Sequence, residues 1–258
     1  MPGPSYYSQF GEDRILARLF AGKWAGTCVE VGANNGRDGS TTLHFEQLGW
    51  TCVLVEPNPE LCAILRSFRA GPIFECGASA ANGTATLQLG EGGHLAHAVS
   101  TLEQGTDAAE ALRRHGVRVR PVDVSIRRLD DILDEAGVDH IDFISIDVEG
   151  HELPALQGFS VHRWRPSIII VEDNSGARDR QVRDHLRNLG YVRFLRTGVN
   201  DWFCERGNTV LAGRHRRLRY GVSLISARWR MASAPLKGAL ARIPGVLPLV
   251  HRIKAMGK

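Results

Sequence analysis

No two of the five cysteines in this 258-residue chain form a C-x-x-C pair, no apolar run approaches membrane-spanning length, and residues 214–258 hold no Asp or Glu. Each absence excludes something. Cys28, Cys52, Cys62, Cys76 and Cys204 lack redox or metal-ligand spacing, and three fall on or beside apolar β-type runs, so they read as reduced, buried small hydrophobes. Without roughly 20 consecutive apolar residues no helix can span a bilayer. The opening M-P-G-P-S-Y-Y-S-Q-F-G-E-D has neither a basic nor an apolar signal region, so a cleaved leader is not expected and the expected location is cytoplasmic. What is present, 43% hydrophobic residues, suffices for the core of one elaborated α/β domain.

The net charge of +4 conceals an asymmetry. Eleven of the 32 Lys and Arg lie in 214–258, which leaves 21 against all 28 acids, so a body of −7 carries a tail of +11. A domain boundary is therefore expected near 213/214. Within the tail, R-H-R-R-L-R-Y and S-L-I-S-A-R-W-R-M interleave cations with apolar residues, which suits peripheral contact with the anionic inner face of a membrane. Pro235, Pro244 and Pro248 are expected to prevent one long helix. The simpler expectation is an extension packed on its own domain or on a second subunit, or a partly disordered tail. Nucleic-acid binding is not expected, because aromatics for base stacking are sparse.

The most informative stretch is T-C-V-E-V-G-A-N-N-G at 27–36. A short apolar strand ends on Glu30 and enters a turn with Gly32 and Gly36; about one helix later a second strand, 52–55, ends on Glu56. Successive strand ends with carboxylates beside a glycine turn suit a nucleoside, whose ribose hydroxyls need a fixed acceptor. A dinucleotide fold would have Gly-x-Gly-x-x-Gly; here the middle glycine is missing. Glu30 before the turn favours a ligand with a cationic amino-acid end, which describes S-adenosylmethionine, with Glu56 on the ribose. A tight turn holding no ligand, or a dinucleotide, are the weaker alternatives.

The second signal is F-I-S-I-D-V-E-G-H-E at 143–152. Methyl transfer from a sulfonium is an in-line displacement in which the acceptor oxygen must lose its proton. His151 is the best-suited free base in this stretch, with Asp147 or Glu149 to orient it. The alternative is that Asp147 and Glu152 cap a helix start while His151 faces solvent. A third strand end, I-I-I-V-E-D-N at 168–174, would bring Asp173 and Asn174 beside Asp147 as oxygen ligands for Mg²⁺, although Asp-Asn also makes an ordinary turn.

Apolar β-type runs at 28–31, 52–55, 73–76, 141–146 and 168–171 alternate with helical segments at 40–48, 59–69, 130–136, 151–156 and 179–189. This predicts right-handed βαβ crossovers and a doubly wound, mostly parallel sheet. Strands at 191–195, 202–205 and 209–212 would close it, with an antiparallel edge turned at Arg206-Gly207-Asn208. Residues 83–124 break the alternation with two half-exposed strands, a loop and a short helix, a candidate substrate cover; His94, His97 and His115 there lack metal-ligand spacing.

S-Q-F-G-E-D at 8–13, V-E-V-G-A-N-N-G at 29–36, V-E-P-N at 55–58, S-I-R-R-L-D-D-I-L at 125–133 and I-D-V-E-G-H-E at 146–152 together resemble the FkbM-type S-adenosylmethionine-dependent methyltransferases, over roughly residues 5–212. The resemblance implies a class I methyltransferase (Rossmann-like) fold with a seven-stranded sheet. For most members it implies O-methylation of a sugar, glycan or polyketide-type hydroxyl. Carried over by motif, Glu30, Gly32, Asn34 and Gly36 line the methionine end, with Ser40 placed beside them, and Glu56 binds the ribose. Asp147 and His151 form the reacting face, and Gln9 and Asp13 close over the cofactor unless they merely cap and dock the N-terminal segment. Family members usually have Lys where this chain has Ser145, while Asp173-Asn174 resembles the metal-binding Asp-Asn pair of catechol-type O-methyltransferases. The expected activity is O-methylation of a saccharide, glycan or glycolipid hydroxyl. A non-catalytic nucleotide- or glycan-binding module and an NAD-dependent sugar oxidoreductase are the rivals.

Overall fold

The protein is described by a computed structural model, which covers residues 5–91, 118–178, 180–213 and 215–241. Ten strands and eight helices are defined among these residues. The main sheet contains β1 (Thr27–Val31), β2 (Thr51–Glu56), β3 (Ile73–Glu75), β7 (Phe143–Ile146), β8 (Ile168–Glu172), β9 (Tyr191–Thr197) and β10 (Asn200–Glu205), in the order β3-β2-β1-β7-β8-β10-β9. β10 runs antiparallel to both neighbours, and the pairs β1–β2, β1–β7, β2–β3 and β7–β8 are parallel. The strand order reverses between β1 and β7, the switch point at which open α/β sheets bind ligands.

Period-two alternation sorts the strands' side chains to two faces. Val29, Val31, Val53, Val55, Ile144 and Ile146 pack against α4 (Leu129–Glu135), α5 (Glu152–Gln157) and α6 (Val161–Trp164). Their sequence neighbours Cys28, Cys52 and Phe143, with Ile170 of β8, pack on the other face with Leu16 of α1 (Glu12–Leu19) and Phe45 of α2 (Leu43–Glu46). Burial on both faces explains why these strands read as continuous apolar runs. All five cysteines are buried and unbridged. α3 (Pro59–Phe68) starts where Asn58 accepts a hydrogen bond from the Glu60 amide, with Pro59 in the first turn.

β5 (Gly83–Glu91) and β6 (Arg118–Arg127) pair antiparallel, and β4 (Gly77–Ala78) joins β6 in a separate three-stranded sheet. The short helix expected between β5 and β6, and His94, His97 and His115, lie outside the described residues.

Two expectations fail. Residues 209–212 form turns, not a strand, because Asn208 Oδ1 accepts hydrogen bonds from the Val210 and Leu211 amides that a ladder would have used. The antiparallel pair is instead β9–β10, turned at Gly198, where φ is +53°. Nor does Pro235 stop the tail from forming a long helix: α8 spans Arg216–Ala241. An internal proline costs one backbone bond and a kink, and the helix is docked upstream through Tyr220, Ser223 and Ala227. α7 (Gln181–Asn188) covers the flank near β9.

The loop from β1 to α2 is held by a buried polar network. Glu30 accepts hydrogen bonds from Ser40 Oγ (2.7 Å), the Thr41 amide (2.6 Å), Thr41 Oγ1 (3.1 Å) and Thr42 Oγ1 (2.6 Å). Arg69, its side chain wholly buried, donates to Gly36 O (2.8 Å), Thr42 Oγ1 (2.9 Å) and Glu46 Oε2 (2.6 Å), and lies 3.8 Å from Glu30. Removing the guanidinium strands buried Glu46 and Glu30 without their cation. Arg69→Met should therefore cost about 3–5 kcal/mol in urea denaturation, and a loss below 1 kcal/mol would show that the network is not what holds this loop.

Candidate active site

A cavity of about 750 Å³ opens at the carboxyl ends of β1, β2, β7 and β8. Six of the expected cofactor residues line it: Gln9, Glu30, Gly32, Asn34, Ser40 and Glu56. Gly32, at φ +82°, approaches the opposite rim so closely that a Cβ would lie 1.8 Å from the Asp147 carbonyl oxygen. Only glycine lets the turn pass there. Asn34 takes a left-handed conformation at φ +51°, tolerated by asparagine, and donates its amide to Glu56 Oε2 at 2.8 Å.

Glu56 also accepts the Asn58 amide on Oε1 at 2.9 Å, so each oxygen keeps one acceptor site for a ligand. Burial pushes its carboxyl up to about 7 against the two amide bonds, which pull it down. Glu30 lines the cavity as expected and is also tied to the loop that follows. Its two oxygens accept four hydrogen bonds from residues 40–42, so it also shapes the wall.

Gly36 and Asp13 are not among the residues lining the cavity. Gly36, at φ +71°, sits against Leu65 and Arg69, where a Cβ would come within 2.2 Å of Leu65. Asp13 is fully buried and ties the Ser8 amide (3.0 Å) and hydroxyl (2.6 Å), docking the N-terminal segment. The acid on the wall is its neighbour Glu12, fastened to Thr197 Oγ1, Asn200 Nδ2 and the Phe10 amide. β4 and β5 contribute Gly77, Ala78 and Leu87, an apolar part of the wall.

The opposite rim is acidic. Asp147, Glu149 and Glu172 bring carboxylate oxygens within 4.8 Å of one another. Burial raises Glu149 to about 7, with Asp147 and Glu152 adding to the effect, and raises Glu172 to about 9, reinforced by Asp147 and Glu149. Asp147 faces the open cavity, yet surrounding protein and the charges of Glu30 and Glu12 still raise it; a bond from Glu172 works the other way. Glu172 Oε2 is buried without a hydrogen-bond donor among the described residues. Glu149 is held at φ +52°, and the turn is locked by Glu152, which accepts the Gly150 (3.0 Å) and Val148 (3.3 Å) amides.

His151 and Asp173 stand apart from this cluster. His151 occupies the N-cap of α5 with Nε2 3.2 Å from Ser79 Oγ, and it is not among the cavity's lining residues. Asp173 accepts the Ser175 amide (2.8 Å) and pairs with Arg196 at 3.3 Å, while Asn174 does reach the cavity. The side chain beside Asp147 is Glu172, one residue earlier, because β8 is extended there and alternate residues point oppositely. That parity was available in the sequence, as the last acid of I-I-I-V-E; Arg69 and Asn200 had no local signal.

The methyltransferase FkbM domain model matches residues 30–193, well over half of the chain. No curated protein sequence matches. Among solved structures, a TehB-like S-adenosylmethionine-dependent methyltransferase from Corynebacterium glutamicum is similar at 12% identity, covering 79% of this chain and 90% of that one with a TM-score of 0.40. An O-methyltransferase from Bacillus cereus in complex with S-adenosylhomocysteine is similar at 15% identity, covering 78% and 81%, with a TM-score of 0.37. With its sheet order and its match from the end of β1 to β9, the chain belongs to the FkbM methyltransferase domain family, whose methyl donor is S-adenosylmethionine.

Proposed function

We propose that the protein transfers the methyl group of S-adenosylmethionine to a hydroxyl of a saccharide, glycan or glycolipid. The observation that carries this reading is a cavity with two unlike ends. Glu56 keeps two acceptor sites, which suit the paired ribose hydroxyls. The far rim, with Asp147, Glu149, Glu172, Asn174 and Asn200, is rich in hydrogen-bonding groups that suit a polyhydroxylated acceptor.

Between them the acceptor oxygen attacks the methyl carbon in line with the departing sulfur. The C–O bond forms as the S–C bond breaks, the sulfonium becomes a neutral thioether, and the hydroxyl proton leaves to a base. Glu149 suits that role: it lines the cavity, its turn is held in a strained conformation, and its carboxyl near 7 is matched to proton transfer at neutral pH. His151, bonded to Ser79 away from the lining, becomes a positioning group for the turn.

A divalent cation also fits this rim, with Asp147, Glu149 and Glu172 as hard oxygen ligands in place of the Asp147, Asp173 and Asn174 set, because Glu172 Oε2 has no donor among the described residues and Asp173 is bound to Arg196. Bound there, such an ion would lower the acceptor hydroxyl's pKa.

Four outcomes are expected. Calorimetry should show S-adenosylhomocysteine binding and no NAD binding, and Glu56→Ala should weaken the former by about 100-fold through loss of two charge-assisted bonds; NAD binding alone would overturn the reading. Glu149→Gln should lower kcat by 10²–10⁴-fold, in the range for a lost general base, with His151→Ala costing less than about tenfold; the reverse pattern would return the base to His151.

The ligand-free protein should lose stability as pH rises. Glu56, Glu149 and Glu172 hold protons in the fold that the unfolded chain releases near 4.5, so thermal midpoints should fall from pH 4.5 through about 7, and further towards 9 for Glu172. A midpoint that rises over this window would contradict the buried-acid picture. Mg²⁺ or Mn²⁺ should reverse the loss more strongly at pH 9 than at pH 6, because binding displaces protons. Full activity after exhaustive chelation would remove the metal.

A further inference from the structure

α8 has two unlike faces. On one, Tyr220 donates to Asp201 Oδ1 at 3.1 Å, Ser223 accepts the Arg196 amide at 3.0 Å, and Ala227 is only 2% exposed, so this side is docked on the sheet's β9 edge. On the other, Leu218, Val222, Ile225 and Trp229 are 66%, 59%, 71% and 66% exposed. At about 100° per residue these four positions fall within roughly 60° of arc. They form one exposed apolar stripe along three turns, whose Leu218 and Val222 also border the groove lined by Phe10 and Ile15. Exposed Arg219 and Arg228 stand on opposite sides of it, each about 80–100° away.

We infer that this face of α8 is a docking surface for an anionic lipid bilayer, on which the helix lies in the interfacial plane. A water-facing helix has no use for such a stripe, and helices of this pattern bury it at the headgroup–acyl boundary while flanking cations meet lipid phosphates. Charge selects the bilayer over a protein groove. The segment from Arg214 carries 11 Lys and Arg and no acid, on a body of −7, so the sequence concentrates its excess positive charge in the segment that contains α8. Within a Debye length of an anionic surface, cations such as exposed Arg219 and Arg228 gain, while charges beyond that distance are screened. No described helix is long and apolar enough to cross a membrane, so the contact is peripheral. The surface also adjoins the cavity. Phe10 lines both the active-site cavity and the groove beneath α8, and Arg228 donates to Gly176 O, two residues from cavity-lining Asn174.

The test is sedimentation of the full chain with vesicles of phosphatidylcholine alone and of phosphatidylcholine with phosphatidylglycerol. Binding is expected only to the mixed vesicles, with at least a tenfold loss on raising salt to about 0.5 M. Ile225→Ser combined with Trp229→Ser should weaken it by at least tenfold, with unchanged S-adenosylhomocysteine binding as proof of folding. No binding to the mixed vesicles, or binding that survives both changes, would overturn the proposal. So would a dimer in size-exclusion chromatography that the double variant converts to monomer without any vesicle binding, because the stripe would then belong to a second copy.

Discussion

The site depends on one buried ion-centred network: the carboxylate of Glu30 and the guanidinium of Arg69 holding the segment from Gly36 to Glu46. Glu30 stands at the end of a strand, where its two oxygens accept four hydrogen bonds from Ser40, Thr41 and Thr42. Arg69 reaches the same segment from the end of α3 and adds Gly36 O and Glu46. Buried charges are costly unless each is paired and hydrogen-bonded, and here both are. The network thereby converts a strand-to-helix connection into a rigid wall, against which Gly32 can run beside the Asp147 carbonyl.

Across that wall the electrostatics invert. Asp147, Glu149 and Glu172 crowd one rim, where burial and neighbouring carboxylates raise all three carboxyls, Glu149 to about 7 and Glu172 to about 9. Perturbed groups of this kind mark functional sites because catalysis needs a base matched to working pH. The contrast with Glu30 is instructive. Glu30 is an acid neutralised to hold a loop, whereas these three crowd together at the cavity rim.

Much of this was legible along the chain. The apolar runs of 28–31, 52–55 and 143–146 are strands buried on both faces, and their acids at 30, 56 and 147 mark the ends from which the cavity is built. The errors have local causes. Asn208 captures the amides of a run that otherwise reads as a strand, and α8 runs through Pro235, which sequence rules weigh without knowing that the upstream turns are docked.

The sequence by itself determined the alternation of strands and helices, the glycine turn and the identity of the acids, because period, turn chemistry and charge are properties of neighbouring residues. Tertiary structure alone decided what each acid does. Whether a carboxylate binds a ligand, braces a loop or holds a proton depends on which donors and charges arrive from distant segments. For Glu30 these are Ser40 and Arg69, for Asp173 Arg196, and for Glu172 the neighbouring carboxylates of Asp147 and Glu149.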